Sequence, residues 1–392
     1  MAPTATQAAP QRYMQGIAIP ASSVNPPEFF ARTRRHTLTE KTISYTGESQ
    51  DTIELRKADI LSGLLLRFTG SLVVTPGTGS VNSLRRWPYD LLKLVRYTAN
   101  GAANIISVSG GKLKARDLMK HSDLTDRGVS QTIGAGAVTQ GTMSGAAESW
   151  GVGSGVTGLT GGTYDVEIDW YVPVAEDEVQ LMGASFLATS SSDLTLTLDW
   201  SPMTDLFTTA GNGTVALTGS LQVISTKFSI PIGSDGQIVV PDLSVFHSLI
   251  QNRYTSLQNG VNEVRLVGQG AGKSLLRVFG QTWNGSPSVP LVTNTTNYGK
   301  LAWAYGGAEV PEEYPDGNAM RAAMERLYDA DLGGQHGFFG FDFAAESAFR
   351  DVVDTGTTAD LRLQFTLQSG VSLSGGALEY VTEHVYAAGQ AA

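Results

Sequence analysis

The sequence predicts an all-β protein built as two β-sandwiches in tandem, and three observations carry that prediction. Residues 165–172 alternate, with Val166, Ile168, Trp170 and Val172 on one face and Asp165, Glu167 and Asp169 on the other, as a half-buried strand does. A second alternating strand follows at 194–200, whereas strands of a parallel sheet covered on both faces read as unbroken apolar runs. The 45 glycines and 15 prolines supply the turns that many short strands need. Finally, 392 residues with 41% hydrophobic content exceed one ordinary core and suffice for two domains of about 150–200 residues each.

Composition removes several function classes. A net charge of −10 argues against a surface that coats phosphate backbones, because such binding needs clustered cations, so no sequence-specific nucleic-acid partner is expected. The absence of cysteine excludes disulfides and cysteine zinc sites. No apolar run approaches the roughly 18 residues of a membrane span, so a soluble or peripheral protein is expected. Residues 1–20 lack a basic start followed by an apolar stretch, so no secretory signal is read there, and the triplets at Asn212, Asn284 and Asn294 are read as chance matches to a glycosylation site.

Taken in order, residues 1–40 read as an N-terminal arm, opening with Ala, Pro, Thr and Gln that cannot build a core. Within it, residues 26–36 predict a short helix, with Pro26 and Pro27 at its start and Arg32, Arg34 and Arg35 near its end, where the macrodipole favours cations. Phe29 and Phe30 either pack this helix on its own domain or, with Arg32, Arg34 and Arg35, form an assembly contact with a partner subunit or anionic membrane on the inner face. Strands are expected at 52–55 and 64–74, and alternation resumes at 105–108 after the segment 88–97. The glycine-rich, nearly uncharged stretch 130–163 predicts a long surface loop.

Pro173 ends the strand at 172, and residues 175–182 predict a helical turn or two. After a strand at 215–228 the pattern breaks at 230–236, which places the boundary between a first domain, 41–233, and a second, 234–392. Strands are then expected at 238–246, 264–267 and 275–279. Leu65-Leu66-Arg67-Phe68 finds a weak echo in Leu275-Leu276-Arg277-Val278-Phe279, a hint of duplication. Residues 318–332 predict a helix capped by Asn318, with Met320, Ala323, Met324, Leu327 and Tyr328 on one face and Gly333-Gly334 ending it. Strands at 338–343, 361–367 and 380–386 close the chain.

Chemical motifs are weak. Gly268 to Ser274 resembles a phosphate loop, but Val267 stands where the first glycine belongs and the segment leads into a strand, so no nucleotide site is expected. Asp329-Ala330-Asp331 opens like a calcium loop but reaches Gly340 where a bidentate Glu is needed. The acids Glu309, Glu312, Glu313 and Asp316 read as a solvated run. His36, His121, His247, His336 and His384 show neither metal-ligand spacing nor a nucleophile's setting. No catalytic activity, metal or cofactor is expected.

Three stretches nevertheless carry a resemblance: 88–97, Pro-Tyr-Asp-Leu-Leu-Lys-Leu-Val-Arg-Tyr; Trp170-Tyr171-Val172-Pro173-Val174-Ala175 with Leu181-Met182-Gly183-Ala184; and Val240-Pro241-Asp242-Leu243-Ser244. Over roughly 42–387 the order of these pieces is similar to the double jelly-roll major capsid proteins of tailless, membrane-containing, tectivirus-type bacteriophages. That family often has leucine where Val174 stands, and the glycine-rich loop departs from its pattern. The resemblance implies two eight-stranded jelly rolls and a virion shell protein made in the host cytoplasm. It implies homotrimeric pseudo-hexagonal capsomers that meet neighbouring capsomers, vertex and minor capsid proteins, and an internal membrane through the arm. The alternative is a carbohydrate-binding adhesin or spike of two β-sandwiches, which would place Trp150 or Trp283 along an exposed groove.

Overall fold

The computed structural model describes residues 21–99, 103–121, 128–133, 137–139, 155, 157–187, 193–266, 273–285, 289–305, 309–334, 336–344, 352–355 and 360–387. The chain opens with β1 (Ala21–Ser23), α1 (Pro26–Arg32), β2 (Arg35–Ser44), β3 (Gln50–Glu54), β4 (Ile60–Thr75) and β5 (Val81–Ser83). β6 (Leu92–Ala99), β7 (Ala103–Val108), α2 (Gly110–Lys120), β8 (Gly128–Ile133), β9 (Ala137–Thr139) and β10 (Gly162–Val172) follow. The first half ends with β11 (Ser185–Phe186), β12 (Leu194–Trp200), α3 (Met203–Leu206), β13 (Phe207–Thr209) and β14 (Thr214–Phe228). The second half contains β15 (Ile238–Val240), β16 (Val245–Tyr254), β17 (Gly260–Arg265), β18 (Lys273–Trp283), β19 (Tyr298–Tyr305) and β20 (Glu309–Tyr314). It closes with α4 (Gly317–Tyr328), β21 (Phe338–Asp342), β22 (Val353–Asp354), β23 (Leu361–Leu367) and β24 (Ala377–Ala387).

Two sandwiches share one topology. In the first, β2-β14-β4-β10 face β3-β12-β6-β7; in the second, β16-β24-β18-β21 face β17-β23-β19-β20. Numbered within each set of eight, both read 1-8-3-6 against 2-7-4-5, the order of a jelly roll. Cores form between the facing layers because alternate residues of each strand point inward. Tyr45, Phe68 and Trp200 meet edge to face across the first sandwich, at 5.1–6.1 Å. Tyr298, Phe339 and Phe365 close together across the second. The echo between residues 65–68 and 275–279 falls on β4 and β18, the third strand of each set, so it marks equivalent positions.

The sandwiches are continuous. β7 pairs with β16 in parallel, Leu249 opposite Ile106 and Ile250 opposite Ser107, so one layer of each merges into a single nine-stranded sheet. The main cluster of buried apolar contacts runs through both halves, and a smaller one gathers around Phe29 and Phe228.

Several expectations need correction. Residues 175–182 form turns, because Asp177 Oδ1 accepts from the amides of Val179 (2.9 Å) and Gln180 and ties the backbone into an Asx turn. The late helix is capped by Asp316, whose Oδ1 accepts from Ala319 N at 2.9 Å, and it ends at left-handed Asp329 before the glycines are reached. Leu327 faces outward and leaves Met320, Met324 and Tyr328 as the buried stripe. The strand expected at 238–246 breaks at Pro241, which has no N–H for a ladder. Part of the expected loop 130–163 is paired as the β8–β9 hairpin, which extends the first sheet beyond β10; residues 134–136, 140–154 and 156 lie outside the described residues. Residues 35–40, read as arm, belong to β2 and pair with β14.

Candidate functional site

The sequence reading overlooked α2 altogether, yet α2 holds the two sandwiches together. Ser109 occupies its N-cap position, Asp90 Oδ1 accepts from Gly111 N at 2.9 Å, and Gly110 lies too close to Tyr89 and the Trp170 indole for any side chain. Lys112, Arg116 and Lys120 stand at i, i+4 and i+8, one stripe of the helix. On β24, Glu379 and Glu383 are separated by an even number and so share one face of the strand. The cationic stripe of the first half lies along the acidic face of the second.

Five carboxylates and five cations meet in this seam. Arg86 Nη2 reaches Glu379 at 2.8 Å and Arg86 Nη1 reaches Asp90 at 3.0 Å; Lys112 Nζ reaches Glu379 at 3.3 Å. Arg116 Nη2 reaches Glu383 at 3.0 Å, and Lys120 Nζ reaches Glu176 at 2.5 Å. Arg277 is the hub, bonded to Glu383 (2.8 Å), Asp342 (2.8 Å) and Glu176 (3.2 Å). His247 sets Nδ1 2.8 Å from the Pro173 carbonyl and Nε2 2.8 Å from Glu383, so both ring nitrogens face oxygen atoms. Tyr328 of α4 donates to Asp342 at 3.0 Å. The pairs Arg86–Glu379, Lys112–Glu379, Arg116–Glu383 and Glu176–Arg277 cross from one half to the other.

Electrostatics follow from this crowding. Burial alone pushes the Glu379 carboxyl up, but Lys112 and Arg86 together outweigh it and hold its pKa at about 2. Burial likewise opposes ionisation of Glu383, and Arg277, Arg116 and His247 overcome it to hold this group well below the ordinary value. Lys112 is pulled below its ordinary value by burial, which its acidic neighbours offset only in part. Arg86 and Lys120 are partly exposed; the other charges are buried, and each has an opposite charge within reach, the condition under which ions are tolerated inside a protein.

The second region of interest is the base of the first sandwich. Asn25 Oδ1 accepts from Glu28 N at 3.0 Å and starts α1. Phe29 is fully buried against Phe228 and Phe30, with ring centroids 6.3 and 5.8 Å apart, in a small separate core with Ile60, Leu181 and Val240. Phe29 therefore packs on its own domain and is not available to a partner, while Phe30 is half-buried. Arg32 pairs with Glu28 at 2.8 Å, Arg35 lies 3.5 Å from Glu178, and Arg34 is anchored by its backbone to Ser229; all three side chains reach solvent. Val179, next to Glu178 in the chain, and Ile232, three residues after Ser229, are 75% and 73% exposed.

Other expected features carry no chemistry. Trp283 is buried beneath Arg86, 3.9 Å from the ring centroid, so it lines no exposed groove, and Trp150 lies outside the described residues. Lys273 begins β18, while residues 267–272 of the phosphate-like loop lie outside the described residues. Among the described residues no group of His, Asp and Glu is placed to hold a metal ion, and no helix is long and apolar enough to cross a membrane.

Comparison with known proteins matches residues 5–231 to the N-terminal domain of the P3 major capsid protein. No curated protein matches the chain in sequence. Among solved structures, the crystal structure of the STIV MCP is similar over 91% of this chain and 97% of that one, with TM-score 0.61 and 13% identity. The structure of Sulfolobus Turreted Icosahedral Virus matches over 91% of both chains, with TM-score 0.59 and 16% identity. The Faustovirus major capsid protein matches over 90% and 89%, with TM-score 0.54 and 9% identity. At such identities these likenesses show the fold alone.

Proposed function

The chain belongs to the P3 major capsid protein family, and from that premise we propose that three copies close into a pseudo-hexagonal capsomer, the repeating tile of an icosahedral shell. It is a major capsid protein, and its place is the virion shell. The observation that carries the threefold reading is the repeated strand order, 1-8-3-6 against 2-7-4-5, in two lobes fused through one sheet. Two like lobes in each subunit give a closed ring of three subunits six comparable corners, each subunit meeting its neighbours through a heterologous contact. We take the lobes as residues 41–233 and 234–392, the first lobe joined by residues 35–40 of β2, with the residues before Arg35 as an arm.

The chain acts by shape rather than by catalysis and needs no cofactor. Its partners are its own copies, neighbouring capsomers, and vertex and minor capsid proteins. The base, through Phe30, Arg32, Arg34 and Arg35, meets an internal anionic surface such as a membrane. Exposed cations together with exposed Val179 and Ile232 support this, since that combination suits a lipid headgroup layer.

Electron micrographs of particles assembled from the triple variant Arg32→Glu, Arg34→Glu, Arg35→Glu test this reading. Capsomers of hexagonal outline are expected from wild type and variant alike, because the three side chains lie on the surface, but closed shells only from the wild type. Normal shells from the variant would remove the base from the assembly, and the absence of hexagonal capsomers from the wild type would contradict the tile itself.

A further inference from the structure

A cleft of about 500 Å³ opens where the two halves of the nine-stranded sheet meet, beside the N-terminus of α2. Its acids are already engaged. Asp90 and Glu379 bind Arg86, Glu379 also binds Lys112, Asp199 accepts from Arg96 Nη2 at 3.1 and 2.9 Å and from Gln50 Nε2 at 2.6 Å, and Asp205 lies 3.9 Å from Lys93. Those four carboxylates are balanced by Arg86, Lys112, Arg96 and Lys93.

Hydrogen-bond donors remain. Ser109, only 4% exposed, lines the cleft with a hydroxyl that has no partner, even though it stands at the N-cap, where a serine side chain ordinarily accepts from the first turn. Asp90 has taken that place at Gly111 N. Gln251 accepts from Ser109 N through Oε1 at 2.8 Å, which leaves its amide NH2 to donate. Arg253 follows two residues later on β16 and so shares the face of Gln251. It lies across the ladder from Glu379, but that carboxylate is drawn to Arg86 and Lys112, and Arg253 has no partner among the described residues.

We propose that this cleft binds a small oxyanion, inorganic phosphate or a close chemical relative, with the Arg253 guanidinium and the Ser109 hydroxyl as its direct partners. The chemistry selects the ligand. A cation would find every carboxylate occupied, and a neutral sugar would need free acceptors as well as donors. An oxyanion meets an uncompensated guanidinium whose planar fork matches two oxygens, an orphan hydroxyl and an amide NH2. Lys93, largely exposed and only loosely paired, adds its charge at the mouth.

Calorimetric titration of the purified protein with sodium phosphate, at ionic strength held constant with sodium chloride, tests the assignment. Saturable binding of one phosphate per chain is expected. Because charge-assisted hydrogen bonds are the strong ones, Arg253→Ala should weaken binding by about tenfold or more, and Ser109→Ala by roughly threefold. Lys57→Ala, at an exposed residue outside the cleft, should bind as wild type does. Arg253 lies on the surface, so its variant should keep the wild-type unfolding midpoint in phosphate-free buffer, which separates lost binding from lost fold. No saturable heat with the wild type, or equal affinity in Arg253→Ala, would overturn the proposal.

Discussion

Replacing Glu383 by alanine is expected to cost the subunit about 3–5 kcal/mol, the usual penalty for removing one partner of a buried ion pair. Glu383 receives Arg277, Arg116 and His247 at 2.8–3.0 Å from three separate elements, and its side chain has no access to solvent. Without it, the Arg277 and Arg116 guanidiniums and the His247 ring remain buried around a cavity, with only Glu176 and Asp342 to answer the two charges. An isosteric apolar redesign of the whole cluster could match the native stability, because the net worth of such a network is small; the loss comes from leaving it half-made. The shift of the urea midpoint measures the effect, with Lys57→Ala as a surface control that should not move it. A Glu383→Ala protein that unfolds at the wild-type midpoint would show that the seam does not hold the lobes.

Acid should undo the same seam. Glu379 has its folded pKa lowered from 4.5 to about 2, so its contribution is complete above pH 4.5 and disappears as pH falls through 2. That contribution is about 3 kcal/mol at neutral pH, taking 1.36 kcal/mol per unit of pKa. Glu383, held well below its ordinary value, acts in the same direction. His384, pushed down to about 4 by burial and by Lys273, loses its share between pH 6.5 and 4, since the unfolded chain binds that proton first. Stability measured by urea titration should therefore be level above pH 6.5, decline gently to about pH 4.5 and then steeply, and Glu379→Gln should remove part of the steep phase. A wild-type profile flat down to pH 3 would be incompatible with these charges being ionised inside the fold.

Much of this architecture was legible in the chain. The alternation in Thr163–Val172 and 194–200 is set by local geometry, since one wet and one buried face leave a period of two in the sequence, and both strands form as read. The echo between Arg67 and Arg277 marks equivalent strands, but it says nothing of environment: Arg67 stays near the surface with Glu167, whereas Arg277 is buried. α2 escaped because Gly-Gly-Lys-Leu-Lys-Ala-Arg reads as a polar segment, and a stripe of like charges on a helix ordinarily faces water. Only the acidic face of β24, more than 250 residues away by register, makes that stripe internal. The available signal was Glu379 and Glu383 on one face of a strand rich in apolar residues. The arm was half legible: Pro26 and Pro27 start α1 as expected, but the fate of Phe29 depended on Phe228, which no local pattern places beneath it.

The central claim is that two fused lobes make one third of a hexagonal tile, and the mass of the purified protein in solution tests it most directly. An obligate interface of this kind should bury more than about 2,000 Å² in total, so the assembly should not dissociate on dilution. Light scattering is expected to find a single species near three times the 41.5 kDa chain, unchanged across the dilution range. A persistent monomer at 41.5 kDa would contradict the account.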